Sequence, residues 1–320
     1  MITMLVAAAL WSPAPSLAAG DEPVRLAWSW KAGDATTYTS TFVQEVVATG
    51  QVESKNRTEQ RMTHTLAVVK TTDGGGALVE QTIRALAIDT ESPMGAMKFD
   101  TQATDDEGNA PAFKFFSTLV GASVRLTVGP EGEVTEIEGL EKLLTQSASP
   151  GESAVTSQAR LMFSDDTMKR TAEQFFGVLP GREVKPGESW TRTINNKVPT
   201  LGVITTTSTY TYAGAATHRD SPAARITVAS KSTLTQDTET PMSRVFTITL
   251  EGGDGAGEIL VDPSTSRPIT GSVKSEILIL VTPKQEGSPL KPIRQTVKAE
   301  NRFERADPAR PADAISPSAP

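Results

Sequence analysis

A two-residue alternation of apolar and hydroxyl side chains limits what this chain can fold into more than any other feature. Thr37-Tyr38-Thr39-Ser40-Thr41-Phe42-Val43 interleaves the two kinds. Thr205-Thr206-Thr207-Ser208-Thr209-Tyr210-Thr211-Tyr212 ends with Tyr at every second position, and Arg244-Val245-Phe246-Thr247-Ile248-Thr249-Leu250 puts Phe246, Ile248 and Leu250 on one side. Successive side chains of a strand point to opposite faces, so this period fits antiparallel sheet with one wet face. Threonine supplies 42 of the 320 residues. Its β-branch favours the extended backbone and its hydroxyl suits the wet face. Turn residues punctuate the pattern at 73–76, 129–132, 252–255 and 262–264. Ser92-Pro93-Met94-Gly95-Ala96-Met97-Lys98-Phe99-Asp100 reads as one strand.

Helical spacing is confined to the middle. Phe113, Phe116, Leu119 and Val120 share a face, as do Ile137, Leu140, Leu143 and Leu144. The clearest case is 165–177. There Ser164 is placed to cap, Asp165 and Asp166 sit at the positive end of the dipole, and Met168, Ala172, Phe175 and Phe176 form one stripe. Gly177 and Pro180 end it.

The composition removes chemistries. There is no Cys, so there is no disulfide framework, thiolate nucleophile or Cys-based zinc site. The two histidines, His64 in an alternating segment and His218 in a polar turn, lie near no nucleophile motif. The net charge of −7 argues against nucleic acid, which needs a basic face. Ser288-Pro289-Leu290-Lys291 has Ser–Lys spacing but sits in a proline-rich loop. Glu251-Gly252-Gly253-Asp254-Gly255-Ala256-Gly257-Glu258 is a single glycine-rich copy with Gly257 where a calcium repeat needs Asp, and reads as a hairpin turn. Asp105-Asp106-Glu107 and Asp165-Asp166 read as a loop and a helix start. The sequence thus names no catalytic, metal or cofactor residue.

At the start, Met4 to Trp11 is apolar, a Ser-Pro-Ala-Pro break follows, and Ser16, Ala18 and Ala19 resemble a leader cleavage site. Residues 1–19 read as a signal peptide and 20–305 as one composite β-rich domain. Within it, Lys31-Ala32-Gly33-Asp34 and Lys185-Pro186-Gly187-Glu188 each lead into strands, and 125–134 and 258–269 have similar hairpins. This layout is read as duplicated lobes, 25–137 and 182–302, joined by helical 138–181; recurrence of ordinary turn residues is the plainer alternative. Residues 306–320, rich in Pro and Ala, read as a disordered tail. No apolar run reaches the roughly 20 residues a membrane helix needs.

Several segments resemble the exported bacterial family DUF6263. They are 26–33 (LAWSWKAG), Ser92-Pro93-Met94-Gly95 with Phe99-Asp100, 119–128 running into Gly132-Glu133-Val134, and Leu179-Pro180 followed by 184–191 (VKPGESWT). The resemblance covers roughly residues 25–302 and implies an envelope protein, without implying catalytic residues. More distantly, the expected layout is similar to lipoprotein carriers with half-open β-barrels.

The fold expected is mainly β: long curved antiparallel sheets, arranged as two half-barrel-like lobes, with short central helices. The function expected is an exported, non-enzymatic envelope protein with a lipid-like ligand in an apolar groove lined by Met94, Met97, Phe113, Phe116, Leu119, Phe175 and Phe176. The plainer alternative for these residues is that they pack the helices on the sheet; the alternative functions are a structural or interaction β-scaffold with no small-molecule ligand and a hydrolase with spatially assembled carboxylates.

Overall fold

The computed structural model describes residues 22–50, 53–103, 116–140, 164–198, 201–285 and 287–307. The proposed leader, most of the tail and Phe113 lie outside them. The strands are β1 (Val24–Leu26), β2 (Ala35–Thr49), β3 (Ser54–Thr71), β4 (Ala77–Ser92), β5 (Gly95–Asp100), β6 (Ser123–Val128), β7 (Val134–Glu138), β8 (Arg182–Val184), β9 (Ser189–Val198), β10 (Gly202–His218), β11 (Ser221–Gln236), β12 (Phe246–Asp262), β13 (Arg267–Pro283) and β14 (Ile293–Arg305). Two helices are described, α1 (Asp165–Phe176) and α2 (Pro241–Val245).

β1 and β8 form a small antiparallel pair. The other twelve strands form one antiparallel sheet, ordered β7-β6-β4-β3-β2-β14-β13-β12-β11-β10-β9, with β5 beside β4. The order within β2-β3-β4-β6-β7 recurs in β9-β10-β11-β12-β13, and β14 joins the two runs. The repetition extends to single bonds. Gly33 N donates to Val68 O, Val68 N to Asp34 O and Asp34 N to Lys31 O. Gly187, Tyr212, Glu188 and Lys185 repeat that set in the second half. Both turn glycines have φ near +87°, where a side chain would be strained. Irregularities recur as well: β3 is bulged just after Val68 and β10 just after Tyr212, and the pairing slips at Thr127/Val128 and at Leu260/Val261.

The sheet curls until its ends share one core. Val134 from one end and Trp190 and Tyr210 from the other lie in the same buried cluster. α1 and the segment after it fill the seam. As the sequence reading expects, Ser164 caps the helix by accepting from Thr167 N, and Gly177 ends it. The carbonyls that follow are claimed in turn: Trp28 Nε1 donates to Phe176 O (2.6 Å), Arg192 Nε to Gly177 O (3.2 Å), Trp190 Nε1 to Val178 O (3.1 Å) and an Arg192 terminal nitrogen to Leu179 O (3.4 Å). Trp28 stacks on Trp30 at 5.1 Å and meets Phe176 edge-on at 5.3 Å. A second cluster, Ile83, Leu86, Ile88, Phe99, Phe116, Leu119, Val124 and Leu140, covers the β4–β6 side.

Four local expectations are corrected. Residues 92–100 are a hairpin, because Pro93 has no amide to continue a ladder and Gly95 turns with φ +124°. Ile137 belongs to β7, where pairing with Leu126 overrides its helical spacing, and 116–119 form a 3₁₀ turn. Residues 252–257 form no turn at all but lie inside β12. Their glycines answer close packing. A Cβ on Gly257 would overlap the Ser272 carbonyl and one on Gly255 the Ser230 hydroxyl; on neighbouring β13, one on Gly271 would overlap the Phe303 ring.

Substituting Gly257→Ala should therefore destabilise the protein by about 2 kcal/mol, since the obstacle is backbone. Gly74→Ala, with open space around the new methyl group, should stay within about 0.5 kcal/mol of wild type. Guanidinium unfolding of the two variants measures the difference.

Candidate functional site

Beyond the filled end, the strands run on as five hairpins side by side, β5/β4, β3/β2, β14/β13, β12/β11 and β10/β9. Pairing register sorts their side chains into rows. On the inner face, which carries Tyr38 and Ile226, one row reads Phe42, Asn301, Val273, Gly257, Val228, Tyr210. The next reads Gln44, Ala299, Ser275, Gly255, Ser230, Ser208. The third begins Val46, Val297, Ile277, Gly253, beyond which lie Ser232 and Thr206. Beyond Gln44 the middle row holds small residues, with Phe42, Val273, Val228 and Tyr210 on one side and Val46, Val297 and Ile277 on the other, which outlines a shallow trough. Phe42, Val46, Val273, Ile277, Val297 and Ala299 are half-buried. None of these residues from β2 to β10 is charged; the middle row then meets Arg192 on β9.

The outer face of the same strands carries a row of charges beside half-buried Val43, Val47 and Leu278. Glu91, Arg57, Glu45, Lys298, Glu276, Asp254 and Lys231 are successive cross-strand partners. Lys55 reaches Glu45 at 2.8 Å, and Lys298 reaches Glu276 at 3.7 Å. Threonine pairs continue the wet face, Thr39 with Thr63 (3.1 Å) and Thr193 with Thr207 (3.2 Å). Two clefts open on this face, of 360 and 460 Å³. Charged side chains line both, Arg61, Asp89 and Lys98 in one and Lys55, Arg57 and Glu91 in the other.

His64 is the titratable group buried on the inner face, stacked on Tyr38 at 6.1 Å. Its Nδ1 is buried without a hydrogen-bond partner. Burial lowers its pKa from 6.5 to about 4. Burial likewise raises the Tyr38 hydroxyl, which donates to Pro268 O. No nucleophile–base pair involves His64. Among the described residues, no group of three His, Asp or Glu is placed to hold a metal ion, and no helix is long and apolar enough to cross a membrane.

The residues that the sequence reading assigned to a groove fall in separate places. Phe175 and Phe176 pack into the seam. Phe116 and Leu119 are buried in the second cluster with Phe99. Met94 is 97% exposed at the β4/β5 tip and Met97 is exposed beside it. These six do not line one groove. The trough was missed because its residues are single apolar or small side chains on separate strands, and only cross-strand register aligns them. The i, i+2 pattern Val273-Ser275-Ile277 was the signal available within one strand.

Fold and site define a curled antiparallel sheet, plugged at one end, with a charged outer face and an uncharged inner trough. The chain belongs to DUF6263, a family of unknown function, which it matches over residues 75–266. No curated protein sequence matches it. Among solved structures it is similar to lipovitellin, studied for lipid–protein interactions, at 11% identity and TM-score 0.47, over 90% of this chain and 27% of that one. It thus spans about a quarter of lipovitellin's length. DynF of the dynemicin biosynthesis pathway of Micromonospora chersina matches at 7% identity and TM-score 0.20, over 94% and 95% of the two chains. Pseudomonas aeruginosa OccK2 matches at 5% and 0.20, over 86% and 98%.

The unfolded chain takes up a proton at His64 between pH 6.5 and about 4, and the folded chain resists it. Stability from this group therefore falls as pH drops through that window, by about 3 kcal/mol, and is level below it. His64→Phe should remove this part of the slope, which chemical unfolding at successive pH values would show.

Proposed function

We propose that this chain is an exported, non-enzymatic envelope protein that holds the aliphatic chain of a lipid-like ligand in the inner trough. The observation that carries the reading is the contrast between two faces of one stretch of sheet. An unbroken row of charges on the outer face keeps that side in water. From β2 to β10 the inner rows behind it hold no charge, and beside the polar Gln44 and Asn301 their larger members are Phe, Tyr, Val and Ile. Side chains of that kind lower the free energy by losing water, and an aliphatic chain removes water without needing hydrogen bonds.

The dimensions agree. From β2 to β10 the trough crosses five inter-strand gaps, about 24 Å at the usual strand spacing. Each methylene covered contributes about 0.8 kcal/mol. Ten of them supply about 8 kcal/mol, which corresponds to micromolar binding before the entropy of holding the chain is subtracted.

The reading predicts that the purified protein takes up a fluorescent fatty acid such as cis-parinaric acid, and that native mass spectrometry retains an acyl adduct. Ala299→Phe fills the trough and should weaken uptake about tenfold at unchanged melting temperature. A wild-type protein that ignores the probe, or a variant that binds it as well, would refute the reading.

A further inference from the structure

The rim where the five hairpins turn has a composition unlike that of the opposite rim. Three of its connections present hydroxyl-Pro-apolar triplets: Ser92-Pro93-Met94, Thr240-Pro241-Met242 and Ser288-Pro289-Leu290. Met94, Met242 and Leu290 are exposed, as are Val245 and Ile293 beside them. At the other rim the turns are Lys31-Ala32-Gly33-Asp34, Asp73-Gly74-Gly75-Gly76, Lys185-Pro186-Gly187-Glu188, Arg219-Asp220 and Pro263-Ser264-Thr265-Ser266, in which Ala32 and the prolines are the nonpolar members. Met94, Met242, Val245, Leu290 and Ile293 are thus exposed at this rim, against Val69 near the other.

The tips are also held in shape. Proline fixes φ within each, and the preceding hydroxyl accepts a backbone amide: Met94 N to Ser92 Oγ (3.2 Å), Leu290 N to Ser288 Oγ (3.2 Å) and Ser243 N to Thr240 Oγ1 (3.1 Å). Little chain entropy remains to be lost on contact. Sheet order places the β14/β13 tip next to β12/β11 and two hairpins from β5/β4. At two strand spacings per hairpin, neighbouring tips lie about 10 Å apart and the fringe spans about 30 Å. No folded pocket is needed to receive such separated prongs. A fluid apolar phase accepts each one independently.

We infer that this rim docks on a phospholipid bilayer, with Met94, Met242 and Leu290 inserted among the acyl chains. Lys197, Arg244, Lys284 and Lys291 are exposed at headgroup level between the tips. Glu53, Glu91, Asp237 and Glu239 share the rim, so net charge supplies no attraction and the apolar tips carry the contact. The inner trough opens toward the same rim, so a docked protein has its uncharged face directed at the lipid. The docking stands on the tips alone and does not depend on ligand binding in the trough.

The chain contains no cysteine, which allows a site-specific test in the full-length protein. Met94→Cys, Met242→Cys and Leu290→Cys, each labelled with an environment-sensitive nitrobenzoxadiazole dye, should shift to the blue on adding zwitterionic phosphatidylcholine vesicles. Nitroxide lipids should quench them, at low and high salt alike. Val69→Cys, exposed near the opposite rim, should respond to neither. The combined Met94→Asp, Met242→Asp and Leu290→Asp variant should lower vesicle-bound protein about tenfold or more. Tip labels that respond no more than the one at position 69 would overturn the inference. So would tip labels that shift without vesicles as a dimer forms, because the fringe would then be a contact between copies. Uptake of cis-parinaric acid in vesicle-free solution should survive the triple Asp change, and the tip response should survive Ala299→Phe, so the two readings fail separately.

Discussion

The architecture hangs on the way the chain leaves α1. A helix end exposes carbonyls with no partner in the helix, and burying them unpaired costs about 1–3 kcal/mol each. Here the carbonyls of Phe176, Gly177, Val178 and Leu179 are each taken by a long side chain, from Trp28, Arg192, Trp190 and Arg192. The donors come from opposite halves of the sequence. Trp28 follows β1, whereas Trp190 and Arg192 lie on β9, an edge of the sheet. Arg192 also donates to Glu131 O beside the other edge. Arg192 thus holds both the stretch after α1 and the turn beside β7 against β9, which brings the two edges of the open sheet together.

That tie acts at one end only, and it divides every long strand in two. Residues such as Tyr38, Val68, Tyr212 and Ile226 face the plug and are nearly inaccessible to water. Six to ten residues further along β2, Gln44, Val46 and Ala48 occupy the same face and are half-buried. The glycines of β12 belong to this geometry. Where a curled sheet brings neighbouring backbones close, a Cβ has no room, and the strand survives there only as Gly253, Gly255 and Gly257. The cost in β propensity is offset by bulkier neighbours on β13, which pair with each glycine: Ile277, Ser275 and Val273.

Much of this was legible in the sequence, and what was not has identifiable causes. The alternation of Thr with apolar residues gave the strands. Ser164, the paired Asp residues and the Met168/Ala172/Phe176 stripe gave α1, because caps and dipoles act within a few residues. The two Lys-x-Gly-acid turns announced the hydrogen-bond set that recurs in both halves. Trp28 and Trp190 stand out in the sequence, but the role of Trp28 as a carbonyl donor depends on a segment 148 residues away. Glycine misled in β12, since the same residue serves tight turns and tight packing. The central Phe residues misled for a related reason: aromatics concentrate where a core closes, so they marked the plug rather than an open face.

The open part of the sheet differs from the plugged part in what its inner face offers, although both are the same strands. At the plug, aromatic rings from five segments meet, with Phe175 edge-on to Tyr38 at 5.1 Å and to Phe303 at 5.6 Å. Large rings fill a curled interior and exclude anything else. In the open part, the inner row holds Ala299, Ser275, Gly255, Ser230 and Ser208, with no ring between Phe42 and the rim on β2. The charge ladder behind it fixes which side faces water. Polarity of the faces, size of the inner side chains and composition of the rim therefore all change along one direction, from the clamped carbonyls to the Met94, Met242 and Leu290 tips.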